Sequence, residues 1–180
     1  ADVNFWNLFY EGVGEKADAA VPGVQEKISS STIAFGIKTR SVPSAILKLN
    51  PEKFPRLVQN ENFFLRVARG CGIKTNIANL VQDRDGNSGL LVQRLARLQP
   101  RGVVRKLHQE DACQLLDAVP AHKYELSLMR IAESITAVCS APIVEIDRLI
   151  RLYIFSYLIG NSDLHAKNIS VLWGEAVTLT

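Results

Sequence analysis

Cysteine is scarce in this chain of 180 residues, with three in all, and Cys71, Cys113 and Cys139 stand far apart without a C-x-x-C or Cys/His ligand pattern. That dispersal excludes a disulfide framework and a structural zinc site, and it fits the reducing cytoplasm. The three histidines, His108, His122 and His165, are scattered as well, which excludes a histidine-based metal hydrolase. Long apolar runs are missing. The longest, from Leu149 to Gly160, is broken by Arg151 and preceded by Asp147 and Arg148, so it falls short of the ~20 apolar residues of a membrane span and reads as a buried helix. The first residues carry no basic segment followed by an apolar stretch, so no secretory leader is expected. Internal repeats and low-complexity tracts are absent too. Charge is nearly balanced, at 21 Lys and Arg against 18 Asp and Glu. The one dense basic stretch, Arg94, Arg97, Arg101, Arg105 and Lys106, reads as a solvated face, so no direct nucleic-acid or membrane partner is expected.

What is present is an apolar content of 47%, enough for one sizeable core or two small ones. The order of elements carries the information. Residues 27 to 34 and 44 to 49 read as strands, and 56 to 71 as a helix stopped at Gly70 and Gly72. Residues 74 to 82 and 90 to 94 read as strands joined by the turn-rich stretch Asp83 to Gly89. From Gln109 onward the pattern is helical, over 109 to 119, 124 to 138 and 143 to 159. The loop Gly160-Asn161-Ser162-Asp163 follows, and then a hairpin over 169 to 173 and 176 to 179 turned at Gly174-Glu175. The expected organisation is a sheet-rich portion over 1 to 96 and a helical portion over 97 to 180, with a cleft between them.

Three segments bear residues suited to phosphoryl transfer. In Gly160 to Asn168, Asp163 and Asn168 have the D-x-x-x-x-N spacing in which a carboxylate orients an attacking hydroxyl and an amide oxygen holds Mg²⁺. A polar helix-to-strand connection would look the same. Pro22-Gly23-Val24-Gln25-Glu26-Lys27 precedes the first strand and offers exposed amides for phosphates, with Lys27 adding charge. It matches neither G-x-G-x-x-G nor a Walker pattern, and an ordinary turn is the competing reading. Strand alternation puts Lys48 on the face of Ile46, opposite Ala45, Leu47 and Leu49. From there its ammonium either grips phosphates, with Glu61 of the following helix as its partner, or faces solvent.

The wording of Gly160 to Ser170, GNSDLHAKNIS, resembles the signature of the HipA family of toxin kinases. Pro22 to Lys27 (PGVQEK) is similar to that family's phosphate-binding loop, Leu91 to Arg97 (LVQRLAR) to its hinge, and Leu107 to Gln114 with Tyr124 to a recurrent segment of its helical lobe. The resemblance implies an α+β, protein-kinase-like fold with a small N-terminal sheet lobe carrying one helix and a helical C-terminal lobe. It implies a cytoplasmic serine/threonine kinase that uses ATP and Mg²⁺ to phosphorylate a protein such as an aminoacyl-tRNA synthetase, and whose partner is a small DNA-binding antitoxin. By motif, Asp163 is the catalytic carboxylate and Asn168 the metal ligand, with His165 and Lys167 at the nucleotide. Pro22, Gly23, Val24, Gln25, Glu26 and Lys27 cover the phosphates, Lys48 holds them, and Gln93, Arg94 and Leu95 meet the adenine.

The chain departs from the family pattern in several places. The second metal-binding Asp of the family belongs to a segment after the final hairpin, outside these residues, so the chain is expected to be a truncated core. Ala19-Ala20-Val21-Pro22 stands where the family often carries an autophosphorylated Ser, with Ser29, Ser30 and Ser31 read as strand residues. Leu95 and Ala96 replace an aromatic and an acidic hinge residue, and the N-terminal subdomain is not represented. A small-molecule phosphotransferase of related fold would place a His two residues before the Asp, where Asn161 stands. A non-catalytic HipA-like binding module, or an inactive fragment, is the alternative reading.

Overall fold

The computed structural model describes residues 3–15, 27–29, 32–37, 45–93, 97–98 and 105–180. The chain divides into two compact units, Ala1–Arg69 with Asn76–Leu95, and Gly70–Thr75 with Ala96–Thr180.

The first unit holds helices α1 (Phe5–Glu15) and α2 (Leu57–Gly70) and strands β1 (Lys27–Ser29), β2 (Thr32–Ile37), β3 (Ala45–Leu49), β4 (Ala78–Gln82) and β5 (Ser88–Gln93). The strands form one sheet in the order β1-β2-β3-β5-β4, antiparallel throughout. Register decides which residues meet which helix. Leu47 pairs with Leu91 and Leu49 with Gly89 on one face, whereas Ile46 pairs with Val92 and Lys48 with Leu90 on the other. Phe5 and Phe9 of α1 pack with Ile33, Phe35, Leu47 and Leu49 on the first face. A Cβ on Gly89 would stand 3.0 Å from both Leu47 Cδ1 and Phe5 Cε2, so only glycine lets α1 lie this close. Val58 of α2 packs with Ala78, Leu90 and Val92 on the second face.

Both helix starts are capped. Asn4 Oδ1 accepts from the Asn7 N–H at 2.8 Å, and Asp83 Oδ2 accepts from that of Phe5 at 3.1 Å. Asn50, just past β3, accepts from the Val58 N–H at 2.9 Å, which fixes α2 relative to the strand that carries Lys48.

The second unit holds a short pair, β6 (Arg97–Leu98) with β7 (Arg105–Lys106), and a three-stranded sheet in the order β10-β9-β8. Its strands are β8 (His108–Asp111), β9 (Ser170–Trp173) and β10 (Val177–Leu179), and its helices are α3 (Ala112–Leu115), α4 (Leu128–Val138) and α5 (Pro142–Leu158). Ala112, Cys113, Ile131, Ile135, Leu149, Ala166, Ile169, Val171 and Leu179 make its core. Pro142 opens α5, where a missing N–H costs nothing. Glu145, 2% exposed, is held by Arg148 Nη1 at 2.8 and 3.0 Å and accepts from the Leu179 N–H at 3.1 Å, so β10 is tied to the first turn of α5.

The structure corrects three elements read from the sequence and adds a fourth. Residues 27 to 34 are not one strand: Lys27 pairs with Ala34 and Ser29 with Thr32, so β1 and β2 form a hairpin. The β-branched Ile28, Thr32 and Ile33 on either side favour strand, so the alternation reads straight across the break. Ser30 and Ser31 themselves lie outside the described residues. Residues 109 to 119 are not a helix, because His108 to Asp111 pair with β9 some sixty residues away and only one helical turn follows. Helix α4 starts at Leu128 rather than near 124, behind Ser127, whose hydroxyl accepts from the Arg130 N–H at 3.3 Å. Finally α1, which brings Phe5 and Phe9 to one core, was not anticipated. The side chains of the basic stretch 94 to 106 lie outside the described residues.

Candidate functional site

The Asp163 loop is built by the way α5 ends. Gly160, at φ 71°, donates its N–H to the Tyr157 carbonyl at 3.1 Å, and the Asn161 N–H reaches the Ser156 carbonyl at 2.8 Å. This pair of bonds is a Schellman stop, which needs a left-handed residue and so a glycine. Asn161 Oδ1 then accepts from the Asp163 N–H at 3.1 Å, and Asn168 Nδ2 donates to the Asp163 carbonyl at 2.7 Å. The five-residue spacing from Asp163 to Asn168 is thus the span that one side-chain amide closes. Since the Asn168 nitrogen is spent on that bond, its Oδ1 is the atom left to act as an acceptor or ligand.

The remaining residues of the loop have contrasting surroundings. His165 is 7% exposed and its Nδ1 is buried without a hydrogen-bond partner. Its Nε2 stands 3.8 Å from Asp163 Oδ1. Ala166, fully buried, donates its N–H to the Lys123 carbonyl at 3.1 Å and begins a turn of 3₁₀ helix through Asn168. Lys167 Nζ donates to Asp111 Oδ2 at 2.9 Å, and that bond with the carboxylate charge pushes the ammonium above its ordinary range. Asp111 also caps α3 in a capping box with Gln114.

Asp163 itself is the exposed member, with 73% of its side chain open. Tyr124 Oη donates to its Oδ1 at 2.7 Å. That hydrogen bond, with burial and the carboxylate charge, pushes the phenol above its ordinary range.

In the first unit, Lys48 projects from the α2 face of the sheet and its Nζ meets Glu61 Oε1 at 2.5 Å. Gln93 ends β5, and its N–H reaches the Ile77 carbonyl at 2.9 Å. Lys27 begins β1 opposite Ala34. The expected phosphate loop, Pro22 to Glu26, and the hinge residues Arg94 and Leu95 lie outside the described residues. Among the described residues no group of three or more His, Cys, Asp and Glu side chains is arranged to hold a metal, and no helix is long and apolar enough to cross a membrane.

The structure therefore brings Asp163, His165 and Asn168 together in one loop and joins Lys48 to Glu61. Two residues went unassigned in the sequence. Asp111 was legible from its D-x-x-Q capping box, which the helical reading of 109 to 119 obscured. Tyr124 was marked only by its resemblance to a recurrent family segment, which gave it no role, because its bond to Asp163 spans 39 positions.

Comparisons with known proteins agree with this architecture. The family described as the HipA-like C-terminal domain matches residues 19–180. The serine/threonine-protein kinase toxin HipA of Shewanella oneidensis is 31% identical over 177 residues, covering 86% of this chain and 40% of that protein. Y4mE of Sinorhizobium fredii, whose name proposes a kinase, is 32% identical over 136 residues, covering 72% of this chain and 32% of its own length. The chain therefore spans about a third to two fifths of these relatives. Among solved structures, the Shewanella oneidensis complex of HipA, HipB and operator DNA superposes with a TM-score of 0.70 at 21% identity, over 96% of this chain and 48% of that one. The Helicobacter pylori proinflammatory kinase CtkA gives 0.65 at 12% identity, over 87% and 54%. The fold is the mixed α and β, kinase-like one that these proteins share.

Proposed function

Because this chain belongs to the HipA-like C-terminal domain family, we propose that it is the ATP-using core of a serine/threonine protein kinase. The observation that carries the reading is the Asp163 loop, with its backbone tied on both sides and its carboxylate open to solvent. In the reaction, Asp163 orients a substrate serine or threonine hydroxyl and accepts its proton. The hydroxyl oxygen bonds to the γ-phosphorus as the bond from that phosphorus to the β–γ bridging oxygen breaks, and ADP leaves with the electron pair.

The donor set fits a hard divalent cation. Mg²⁺ takes oxygen ligands, needs only one or two from protein, and completes its shell with water and phosphate. Asn168 offers Oδ1, freed by the commitment of its nitrogen. Bound there, Mg²⁺ would neutralise charge on the phosphates. Lys48, held by Glu61, serves as the phosphate-gripping ammonium, and the backbone about Gln93, Arg94 and Leu95 meets the adenine. In the segment Pro22 to Lys27, the backbone N–H groups of Gly23 to Glu26, with Lys27, would cover the phosphates. His165 stays packed under the loop, while Lys167 secures it to Asp111 or turns to the nucleotide. The partner is an antitoxin, as suggested by the HipB and operator DNA of the Shewanella complex, and the substrate is a protein, such as an aminoacyl-tRNA synthetase.

The test is transfer of labelled γ-phosphate from Mg-ATP to proteins of a bacterial extract by the natural full-length protein. Asp163→Ala should lower it by on the order of a hundredfold or more. No Asp163-dependent labelling, with the protein folded and Mg-ATP bound, would leave a non-catalytic binding module as the reading.

A further inference from the structure

The loop that carries Asp163 leaves one freedom unaccounted for. Its backbone is fixed by Asn161 Oδ1 on the N–H side and by Asn168 Nδ2 on the carbonyl side, but neither bond restrains the carboxylate. An exposed Asp on a fixed backbone still turns about two side-chain torsions, and a carboxylate that must meet a substrate hydroxyl loses rate for every orientation that misses. Tyr124 is the group that restrains it.

We propose that Tyr124 is a positioning residue, whose hydroxyl holds Asp163 Oδ1 so that the other carboxylate oxygen is presented to the substrate hydroxyl. Three contacts make Tyr124 a fixed post. The neighbouring Lys123 carbonyl accepts from the Ala166 N–H at 3.1 Å, joining this segment to the loop through backbone. The Tyr124 ring stands edge-on to that of buried His165, with centroids 4.9 Å apart and planes at 82°, an arrangement favoured by the ring quadrupoles. Lys123 Nζ lies over the other part of the ring, 4.9 Å from its centroid. Tyr124 is 61% exposed, so it is these contacts rather than burial that set the direction from which its hydroxyl reaches Asp163, and the bond to an ionised acceptor is charge-assisted. Among the described residues, no hydrogen bond is made to Asp163 Oδ2, which remains available as the proton acceptor. His165 gains a purpose as well: it is the platform against which the Tyr124 ring is set.

The catalytic consequence rests on the kinase reading, whereas the contact does not, and the experiment separates them. Tyr124→Phe keeps the ring on His165 and removes only the hydroxyl. In the natural full-length protein, kcat for phosphate transfer should fall about tenfold, with KM for ATP and the thermal midpoint unchanged. In parallel, ¹³Cζ-tyrosine NMR should find Tyr124 titrating at higher pH in the unaltered protein than in Asp163→Asn. Unaltered kcat in Tyr124→Phe would overturn the proposal, and so would a Tyr124 titration that ignores Asp163→Asn. If Asp163→Ala transfers phosphate as fast as the unaltered protein, the positioning role falls together with the kinase reading, while the NMR difference still reports that the contact exists.

Discussion

The tripeptide Gly-Asn-Ser occurs twice in this chain, at 86 to 88 and at 160 to 162, each time with the glycine at positive φ and an aspartate close by. The two aspartates meet opposite fates. Asp83 precedes its tripeptide and lies 6% exposed. Its carboxylate accepts from the N–H groups of Phe5, Asp85 and Asn87 and from Asn87 Nδ2, at 2.8–3.1 Å. Asp163 follows its tripeptide, so the Asn161 side chain takes the backbone N–H instead and the carboxylate is left out. The difference teaches that a carboxylate saturated with donors is committed to the fold, whereas one with a single side-chain partner keeps its other oxygen open for the role proposed above.

The comparison breaks if the two residues respond alike. Asp163→Ala should remove transfer, as above, and leave unfolding almost unchanged, because a solvent-exposed carboxylate with one hydrogen bond adds little to stability. Asp83→Ala should do the reverse in stability, lowering it by about 2–3 kcal/mol, since four donors lose their acceptor and α1 loses a cap. Urea unfolding would read this through Trp6 on α1, with Trp173 on β9 reporting the other unit. The pH dependence follows from the same bonds. Burial pushes the Asp83 carboxyl up, but donation from Asn87 Nδ2 and from the N–H groups of Phe5, Asn87 and Asp85 outweighs it and holds the group below its ordinary range. A depressed carboxyl contributes stability that is complete above its unfolded value of about 4 and is lost as pH falls through the folded one. Asp83→Ala should therefore flatten the acid limb of the stability curve, which no change at Tyr124 or Asn168 should do.

A smaller effect sharpens the role of the glycine. At Gly160 a Cβ would meet nothing within 4 Å, so Gly160→Ala tests backbone strain alone. The left-handed conformation costs a non-glycine residue about 1 kcal/mol, and the thermal midpoint should drop accordingly. A drop much larger would mean that the Schellman stop carries the whole loop with it.

These contrasts also mark how far the sequence could be read. The strand alternation that sets Lys48 apart from Leu47 and Leu49, and the helix that brings Glu61 to it, are local periodicities, and both were legible. So were α5, the β9 to β10 hairpin, and the spacing that Asn168 closes. Pairings between distant segments were not. Gln109 to Asp111 look helical until β9 is beside them, and α1 has its partners in β2, β3 and the Asp83 loop. Tyr124 belongs to the same class, because nothing in the residues around it points to Asp163.

The smallest expected effect on stability concerns the other charged pair. Lys48 and Glu61 stand 2.5 Å apart with 29% and 33% of their side chains exposed, so solvent screens them and the long lysine chain loses entropy in being held. Lys48→Met should therefore cost under about 1 kcal/mol, well below Asp83→Ala, since the methionine also packs its stem along Leu90 on the same face. If the ammonium serves phosphates, the same variant should raise KM for ATP by about tenfold, as expected for one lost charge-assisted contact. The two readouts together decide what the pair is for. A large loss of stability with unchanged nucleotide affinity would move Lys48 into the class of Asp83, a charge spent on holding α2 to the sheet. Near-native unfolding with weakened nucleotide binding would set it beside Asp163.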